Sequence, residues 1–376
     1  MITQTENELM TRVEGDAPMG QLMQNHYWIP FALSSHLLNE RAPMPVRLFG
    51  GDFVALRGED GRVRFLDETC RHRGGAVAHF PVHEAGGLSW VWQGGGEAPP
   101  FPDLPFDGTD LYQFWCVCQV PCNWLQGVEG TIDSAHVGVL HQTWIAEAAK
   151  MAEHSNLGLA LVQPPTYETE ATSYGMRAAA LRKTADGGAY VRITEHLMPL
   201  VTVVPIGRAM PRSGSVFAIS PTDDTHHHLF FGTFGDTPHS AEPPERTAMQ
   251  DPRYVPEDLD YTGLRGDRSN AWGQDRGRMG RGHFSGFWRS LLEEDAVVQT
   301  SMGPIVDRTR ENLSSGDVAV VQARRLLLEA LDAAGSGRLP PGSALSHDDV
   351  KLPNASEVFI GDGERWEDAA INPLAS

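Results

Sequence analysis

The sequence predicts an α+β chain, and three observations carry that class. Short apolar runs bracket Asp60-Gly61, a second set of strand-like runs brackets Asp186-Gly187, and residues 315–335 have helical spacing. Asp-Gly between apolar runs is a hairpin signal, because both residues accept the positive φ that a tight turn between twisted strands requires. In the third stretch Val320, Ala323, Leu327, Leu331 and Ala334 recur every three or four residues and make one apolar face.

Taken in order, residues 46–67 ("VRLFGGDFVALRGEDGRVRFLD") read as a small antiparallel sheet, and "LSWVW" at 88–92 as a further strand. "QGGGEAPPFPDLPFDGTD", 93–110, is rich in Gly and Pro and reads as a boundary. "FWCVCQV", 114–120, alternates as a strand that sets Cys116 and Cys118 on one face. "GMRAAALRK" and "AYVRITEHLMPLVTVVP" flank Asp186-Gly187, and "SVFAIS" and "HHHLFFGTF" follow as strands. Residues 236–285 are polar and punctuated, a long excursion over the surface or across a pocket. The final helix takes Asp317 as its N-cap and Gly335 as its stop.

At 376 residues with 41% apolar content, the chain has room for two or three soluble domains. No run of 18 apolar residues offers a membrane span, and the polar start "MITQTENELM" lacks the pattern of a secretory signal. Four cysteines, three of them between 116 and 122, do not make a disulfide framework, so the expected home is a reducing cytoplasm. A net charge of −19 argues against nucleic acid and anionic membranes as partners.

Residues 122–144, "CNWLQGVEGTIDSAHVGVLHQTW", hold Asp133, His136 and His141 as D-x-x-H-x-x-x-x-H. Two imidazoles and a carboxylate on one face of an octahedron leave positions open for dioxygen and substrate, the arrangement of non-haem Fe(II) oxygenases. On a regular helix residues five apart lie about 140° from each other, so His136 and His141 share a metal only if the helix distorts or ends between them. Gly138 eases such a distortion. With 15 histidines in the chain the spacing alone is a weak signal. The run His226, His227, His228 alternates along a strand and reads as structural.

A second cluster of signals starts at "CRHRGG", 70–75, where Cys70 and His72 stand as C-x-H. By itself this reads as a buried thiol near a surface imidazole. It occurs, however, with "MGQLMQNHYWIP" (19–30), "NWLQGVEGTIDSAHVGVLH" (123–141), "NAWGQDRGRMGRG" (270–282) and "EEDAVVQTSMGPIVDRTRENL" (293–313). Together, in this order, these segments resemble the Rieske non-haem iron aromatic-ring oxygenases, specifically the oxygenase (alpha) subunits of the phthalate-dioxygenase-like branch, which includes aromatic O-demethylases.

The resemblance implies a reduced antiparallel β Rieske-like domain with an N-terminal arm over residues 1–105. Residues 106–376 would form a catalytic mononuclear-iron domain, a curved antiparallel sheet packed on a long C-terminal helix. It makes His136 and His141 the iron-binding imidazoles and Asp295 the carboxylate; on spacing alone Glu293, Glu294 and Asp307 are equal rivals. It makes Asp133 the carboxylate that bridges an iron-bound His to a cluster His of a neighbouring subunit. The implied cofactors are a mononuclear Fe(II) and a [2Fe–2S] Rieske cluster. The implied partners are a small aromatic substrate, dioxygen, a flavin/iron–sulfur reductase and two further copies in a homotrimer.

Half of the cluster site is missing. A Rieske cluster needs two Cys and two His, and no C-x-x-H exists in this chain. The family pattern runs to "AVAHF" (76–80) and resumes at "PVHEAGGLSWVW" (81–92), as if several tens of residues had been excised. His79 and His83 lie nearby without a cysteine pair. The expected activity is therefore hydroxylation or O-demethylation of an aromatic compound at Fe(II), impaired because electron entry is lost, as in an internally deleted oxygenase. The alternative is a non-catalytic or peroxide-dependent iron- or ligand-binding variant of the same fold.

Overall fold

The computed structural model describes residues 2–37, 43–67, 78–108, 110–151, 158, 163–205, 213–236, 264, 266–343, 345 and 356–370. Cys70 and His72 lie outside these residues. Two short helices, α1 (Gln4–Thr11) and α2 (Pro18–His26), precede β1 (Ile29–Leu33), β2 (Met44–Leu48), β3 (Gly51–Arg57), β4 (Val63–Asp67), β5 (His79–Phe80), β6 (Val82–Ala85) and β7 (Leu88–Val91). They build two small antiparallel sheets, β2-β3-β4-β5 and β1-β7-β6. The predicted turn at Asp60-Gly61 joins β3 to β4, with Gly61 at φ 76° and the Asp60 carboxylate accepting from the Arg62 N–H at 3.2 Å. Only Pro81 separates β5 in one sheet from β6 in the other.

The remaining elements are β8 (Tyr112–Val120), α3 (Trp124–Ile132), α4 (Val137–Leu140), α5 (Gln142–Met151), β9 (Thr166–Thr172), β10 (Gly175–Lys183), β11 (Ala189–Leu197), β12 (Val201–Val204), β13 (Gly214–Asp223) and β14 (His226–Gly235). They continue with α6 (Arg276–Met279), α7 (Leu291–Ser301), α8 (Val318–Gly335), β15 (Ser356–Ile360) and α9 (Trp366–Ala370). One antiparallel sheet runs β8-β14-β13-β12-β11-β10-β9. Residues 195–197 of β11 pair with β12, while residues 189–193 take β15 along the same edge. The chain is thus α+β with antiparallel sheets, as its sequence predicts. Gly187, at φ 93°, makes the expected β10–β11 turn.

Register sorts this sheet into two faces, since directly paired residues point the same way. Tyr167, Arg182, Tyr190, Arg192, Thr194, His196 and Thr202 fall on one face. Met176, Ala178 and Ala180 share that face and enter the same apolar core as Trp124, Leu125 and Val128 of α3. α3 crosses β12, β13 and β14 so closely that a Cβ at Gly127 would lie 2.7 Å from His227 Nε2. Glycine at that position permits the approach.

Two side chains, Asn123 and Glu129, fix α3 further. The Asn123 side chain caps it by accepting from the Leu125 N–H at 3.1 Å, and its amide donates to the carbonyls of Thr11 and Asp224, both at 2.8 Å. Glu129 receives Arg308 through both oxygens at 2.8 Å and Arg324 at 2.7 Å, tying α3 to α8. α8 itself touches β9 and β10 and buries Ala319, Val320, Ala323, Leu326, Leu327, Ala330 and Ala333. Asp317 does occupy its N-cap position. Its carboxylate, however, accepts from Ser314, N–H at 2.7 Å and hydroxyl at 3.0 Å, closing the 3-10 turn before the helix, and the helix runs through Gly335 to end at Ser336.

Candidate metal centre

α3 stops at Asp133, whose backbone is extended (φ −73°, ψ 114°) while its N–H still bonds the Glu129 carbonyl at 3.2 Å. His136 then opens the single turn of α4, and His141 (φ −92°, ψ 14°) separates α4 from α5. With each imidazole at an end of that turn, the 140° objection lapses: His136 Nε2 and His141 Nε2 lie 3.2 Å apart. The break falls at His141 rather than at Gly138, which sits inside α4.

The acidic run Glu293, Glu294, Asp295 lies in the first turns of α7, capped by the Ser290 hydroxyl on the Leu292 N–H at 3.1 Å. Successive helix residues diverge by about 100°, so the three carboxylates have three destinations. Glu293 takes Arg289 at 3.0 Å. Glu294 meets His141 Nδ1 at 2.7 Å. Asp295 Oδ1 lies 3.1 Å from His141 Nε2 and 3.4 Å from His136 Nε2. Asp307 caps a 3-10 turn through the Thr309 N–H at 3.1 Å, away from this cluster.

His136, His141 and Asp295 offer ligand atoms all within 4.8 Å of one another, and among the described residues no other group of three or more metal-binding side chains does so. Three donors at about 2.1 Å from a first-row metal, on one octahedral face, stand about 3.0 Å from each other. The separations of 3.2, 3.4 and 3.1 Å are therefore those that three donors would have on one face of a divalent metal.

The outer nitrogens are also engaged. Asp133 Oδ2 lies 3.4 Å from His136 Nδ1 and accepts the His136 backbone N–H at 3.1 Å. Its Oδ1 accepts from the Ala135 N–H at 2.7 Å and the Tyr167 hydroxyl at 2.9 Å. Glu294, fully buried, accepts the Ser285 hydroxyl on its second oxygen. Burial by itself would lower the pKa of His141, but Asp295 and Glu294 on either side outweigh it and hold the imidazole at about 10. Burial would likewise raise Asp295, and the two imidazoles bring it below the ordinary carboxylate range instead. In the metal-free chain, a proton on His141 carries the positive charge that the carboxylates demand.

Ser285 and Glu294 both bear on the site, but Ser285 was absent from the sequence reading and Glu294 entered it only as a rival ligand. The signal available was three adjacent acids at a helix start, which cannot all face one metal. Cys116, Cys118 and Cys122 are buried and in no disulfide, and burial pushes the thiols of Cys118 and Cys122 up to about 12. His79 and His83 are exposed, and His83 stacks on Phe101 at 4.2 Å. Among the described residues these side chains form no group of three or more metal-binding side chains. His227 is buried with Nδ1 on the Cys122 carbonyl at 2.9 Å, as a structural histidine would be.

Two imidazoles and a carboxylate gathered on an α+β fold with antiparallel sheets make a donor set of the kind non-haem metal oxygenases use. Residues 96–366 match the family described as LigXa C-terminal domain like. The oxygenase subunit of phthalate 4,5-dioxygenase from Pseudomonas putida is 32% identical, over 98% of this chain and 94% of its own length. That of 3-chlorobenzoate-3,4-dioxygenase from Comamonas testosteroni is 29% identical over 90% of each. The terminal oxygenase of carbazole 1,9a-dioxygenase from Nocardioides aromaticivorans IC177 shares the fold, with a TM-score of 0.54 at 16% identity over 86% of this chain and 97% of that one. The chain belongs to the Rieske oxygenases as an oxygenase alpha subunit, a family of oxidoreductases. The first of these alignments spans 427 positions against the 376 residues here, so at least 51 positions (427 less 376) of the relative have no counterpart. Among the described residues no helix is long and apolar enough to cross a membrane.

Proposed function

We propose that the chain binds one ferrous iron through His136, His141 and Asp295 and is built for hydroxylation or O-demethylation of an aromatic substrate. The observation that carries this is the facial spacing of the three donors, 3.1–3.4 Å. Bound there, ferrous iron would supply the redox chemistry that activates dioxygen. The chain's own part is to fix the ligands: Asp133 turns His136, and Tyr167 holds Asp133. The proposed division places this site in a catalytic domain of residues 106–376, after an N-terminal Rieske-like unit of residues 1–105.

The substrate class we favour is an aromatic carboxylate. Arg182 is buried on the sheet face next to the site, donating to the Ser134 carbonyl at 3.0 Å and to the Gln163 carbonyl at 3.2 Å. Its Nη1 and the Ser134 hydroxyl are buried without hydrogen-bond partners. An unpaired cationic donor bonded to the residue after Asp133 suits an anionic substituent, since donors left unpaired in the interior are costly.

The Rieske cluster does not fit the residues present. Cys70 and His72 make one half site, the chain has no C-x-x-H, and the other cysteines are buried in a strand and the turn that follows it. The surplus of aligned positions in the relative supports an excision, and the single-residue link at Pro81 between two sheets suits one at this point. A reductase and a trimeric assembly would then serve a chain whose electron entry is impaired. Anaerobic titration with ferrous iron, followed by binding of phthalate and benzoate to wild type and Arg182→Met, tests the reading. One iron per chain and weaker aryl-carboxylate binding in the variant are expected; no iron bound by the wild type refutes the function, and equal carboxylate binding refutes the substrate class.

A further inference from the structure

The segment "NAWGQDRGRMGRG" and the residues after it, 266–290, have no part in the ligand set, yet they grip the site from two directions. The Phe284 N–H donates to the Thr143 hydroxyl at 3.0 Å, two residues beyond His141. The Ser285 hydroxyl donates to Glu294 Oε1, next to Asp295 in α7. Ser285 is itself held: its oxygen accepts the Phe287 N–H at 3.1 Å, and its carbonyl accepts the Gln274 side chain at 2.6 Å. Its one hydroxyl hydrogen is therefore committed to Glu294. The other Glu294 oxygen, 2.7 Å from His141 Nδ1, can only accept, so Nδ1 keeps its hydrogen and Nε2, facing Asp295 and His136, is the nitrogen left to give up a proton to a metal.

We infer that Glu294 is a positioning residue for the metal site, fixing the ring and tautomer of His141, and that Ser285 locks Glu294 so that the 266–290 segment holds this ligand in place. The inference rests on the proposed iron site. It gives the two imidazoles separate carboxylate supports: partly buried Asp133, one turn away in the same stretch of chain, for His136, and fully buried Glu294, 153 residues on, for His141. The His141 support cannot be exchanged with solvent, because Glu294 has no surface exposure. An outer-sphere partner of this kind raises ligand basicity and fixes ring orientation, and its loss weakens metal binding by about 10- to 100-fold.

The test uses ferrous iron as the probe on the full chain, with chelator competition for affinity and electron paramagnetic resonance of the ferrous–nitrosyl adduct for ligand orientation. Glu294→Ala is expected to weaken iron binding by about 10- to 100-fold and to change the nitrosyl spectrum. Glu294→Gln, which keeps an acceptor oxygen and the volume, is expected to recover part of both, and Ser285→Ala to fall between Ala and wild type. Should Glu294→Ala fail to fold, Ser285→Ala and Glu294→Gln carry the test. Wild-type affinity and an unchanged spectrum in both overturn the inference while leaving the iron site intact; a wild-type chain that takes up no iron overturns the site and this inference together.

Discussion

Asp133 Oδ2 stands 3.4 Å from His136 Nδ1 and accepts the backbone N–H of the same residue at 3.1 Å. One carboxylate thus sets both the ring and the main chain of a residue three positions on, and the Tyr167 hydroxyl keeps it there at 2.9 Å. Neither Asp133 oxygen is needed in the proposed metal site, for which His136, His141 and Asp295 already offer three donors. Asp133→Asn is accordingly expected to keep most of the bound iron while impairing any electron transfer into the site. Metal analysis beside single-turnover kinetics checks this, and complete loss of iron would make Asp133 a direct ligand.

His136→Ala and Asp295→Ala each remove one of three donors and are expected to leave less than a tenth of the wild-type iron after dialysis, a loss of about 1.4 kcal/mol or more in binding. Asp307→Ala removes only a cap on Thr309 and is expected to retain full iron. Equal metal in all four proteins would dismiss the assignment.

The strands were legible because their alternation and turns are local properties: the run 175–183 read as a strand is β10 in full, and Gly187 turns where Asp-Gly indicates. The imidazoles were legible only as a pair, because whether His136 and His141 can meet depends on the helix being cut down to the single turn of α4, and its limits are set by backbone changes at Asp133 and His141 that no Gly or Pro marks. Glu294 was illegible. Its role follows from a helix phase relative to His141, 153 residues away in sequence, and spacing carries no information about a contact of that kind. Glu129 was missed for the same reason, since Arg308 and Arg324 reach it across more than 170 residues.

Glu129 yields a stability prediction. It neutralises Arg308, which has no exposed side-chain surface, and shares Arg324 with Glu311. Glu129→Gln strands a buried guanidinium and is expected to cost about 3–5 kcal/mol in urea unfolding. Arg325→Ala, which breaks an exposed pair with Glu329, is expected to stay within about 0.5 kcal/mol. Burial would raise Glu129, but the two arginines bring it below the usual carboxylate range. Its contribution is therefore present above that range and disappears as pH falls through the depressed value.

Iron binding is expected to release a proton at neutral pH. In the metal-free chain His141 is held at about 10, so at pH 7 its ring is charged, and a ligand nitrogen must give that proton up. Titration calorimetry in buffers of different ionisation enthalpy measures the release, about one proton per iron. The sign for stability follows from the same shift. A histidine raised above its unfolded value of about 6.5 stabilises the metal-free fold fully below that pH, and the stabilisation is lost as pH rises through 10. The Tm of metal-free protein is expected to fall between pH 7 and 10, and zero proton release on iron binding would show that His141 is neutral there.

The incomplete cluster motif gives the most direct measurement. Four ligands, two Cys and two His, hold a Rieske cluster, and this chain offers Cys70 and His72 in one half loop with no C-x-x-H to follow. The other three cysteines cannot substitute without unfolding β8, because Cys116 and Cys118 are buried in that strand and Cys122 just after it, and burial pushes the Cys118 and Cys122 thiols up to about 12, far from the thiolate a cluster needs. Protein prepared without oxygen and loaded with iron is therefore expected to lack both acid-labile sulfide and red-brown visible absorbance. NADH with a reductase is expected to support little or no turnover, whereas peroxide, which brings its own oxidising equivalents, is expected to permit oxidation at the mononuclear iron. A stoichiometric sulfide assay together with a Rieske-type spectrum would overturn the half-site reading, and Cys70→Ser would then decide whether this loop supplies one of the ligands, because a cluster that survives the substitution must be held elsewhere.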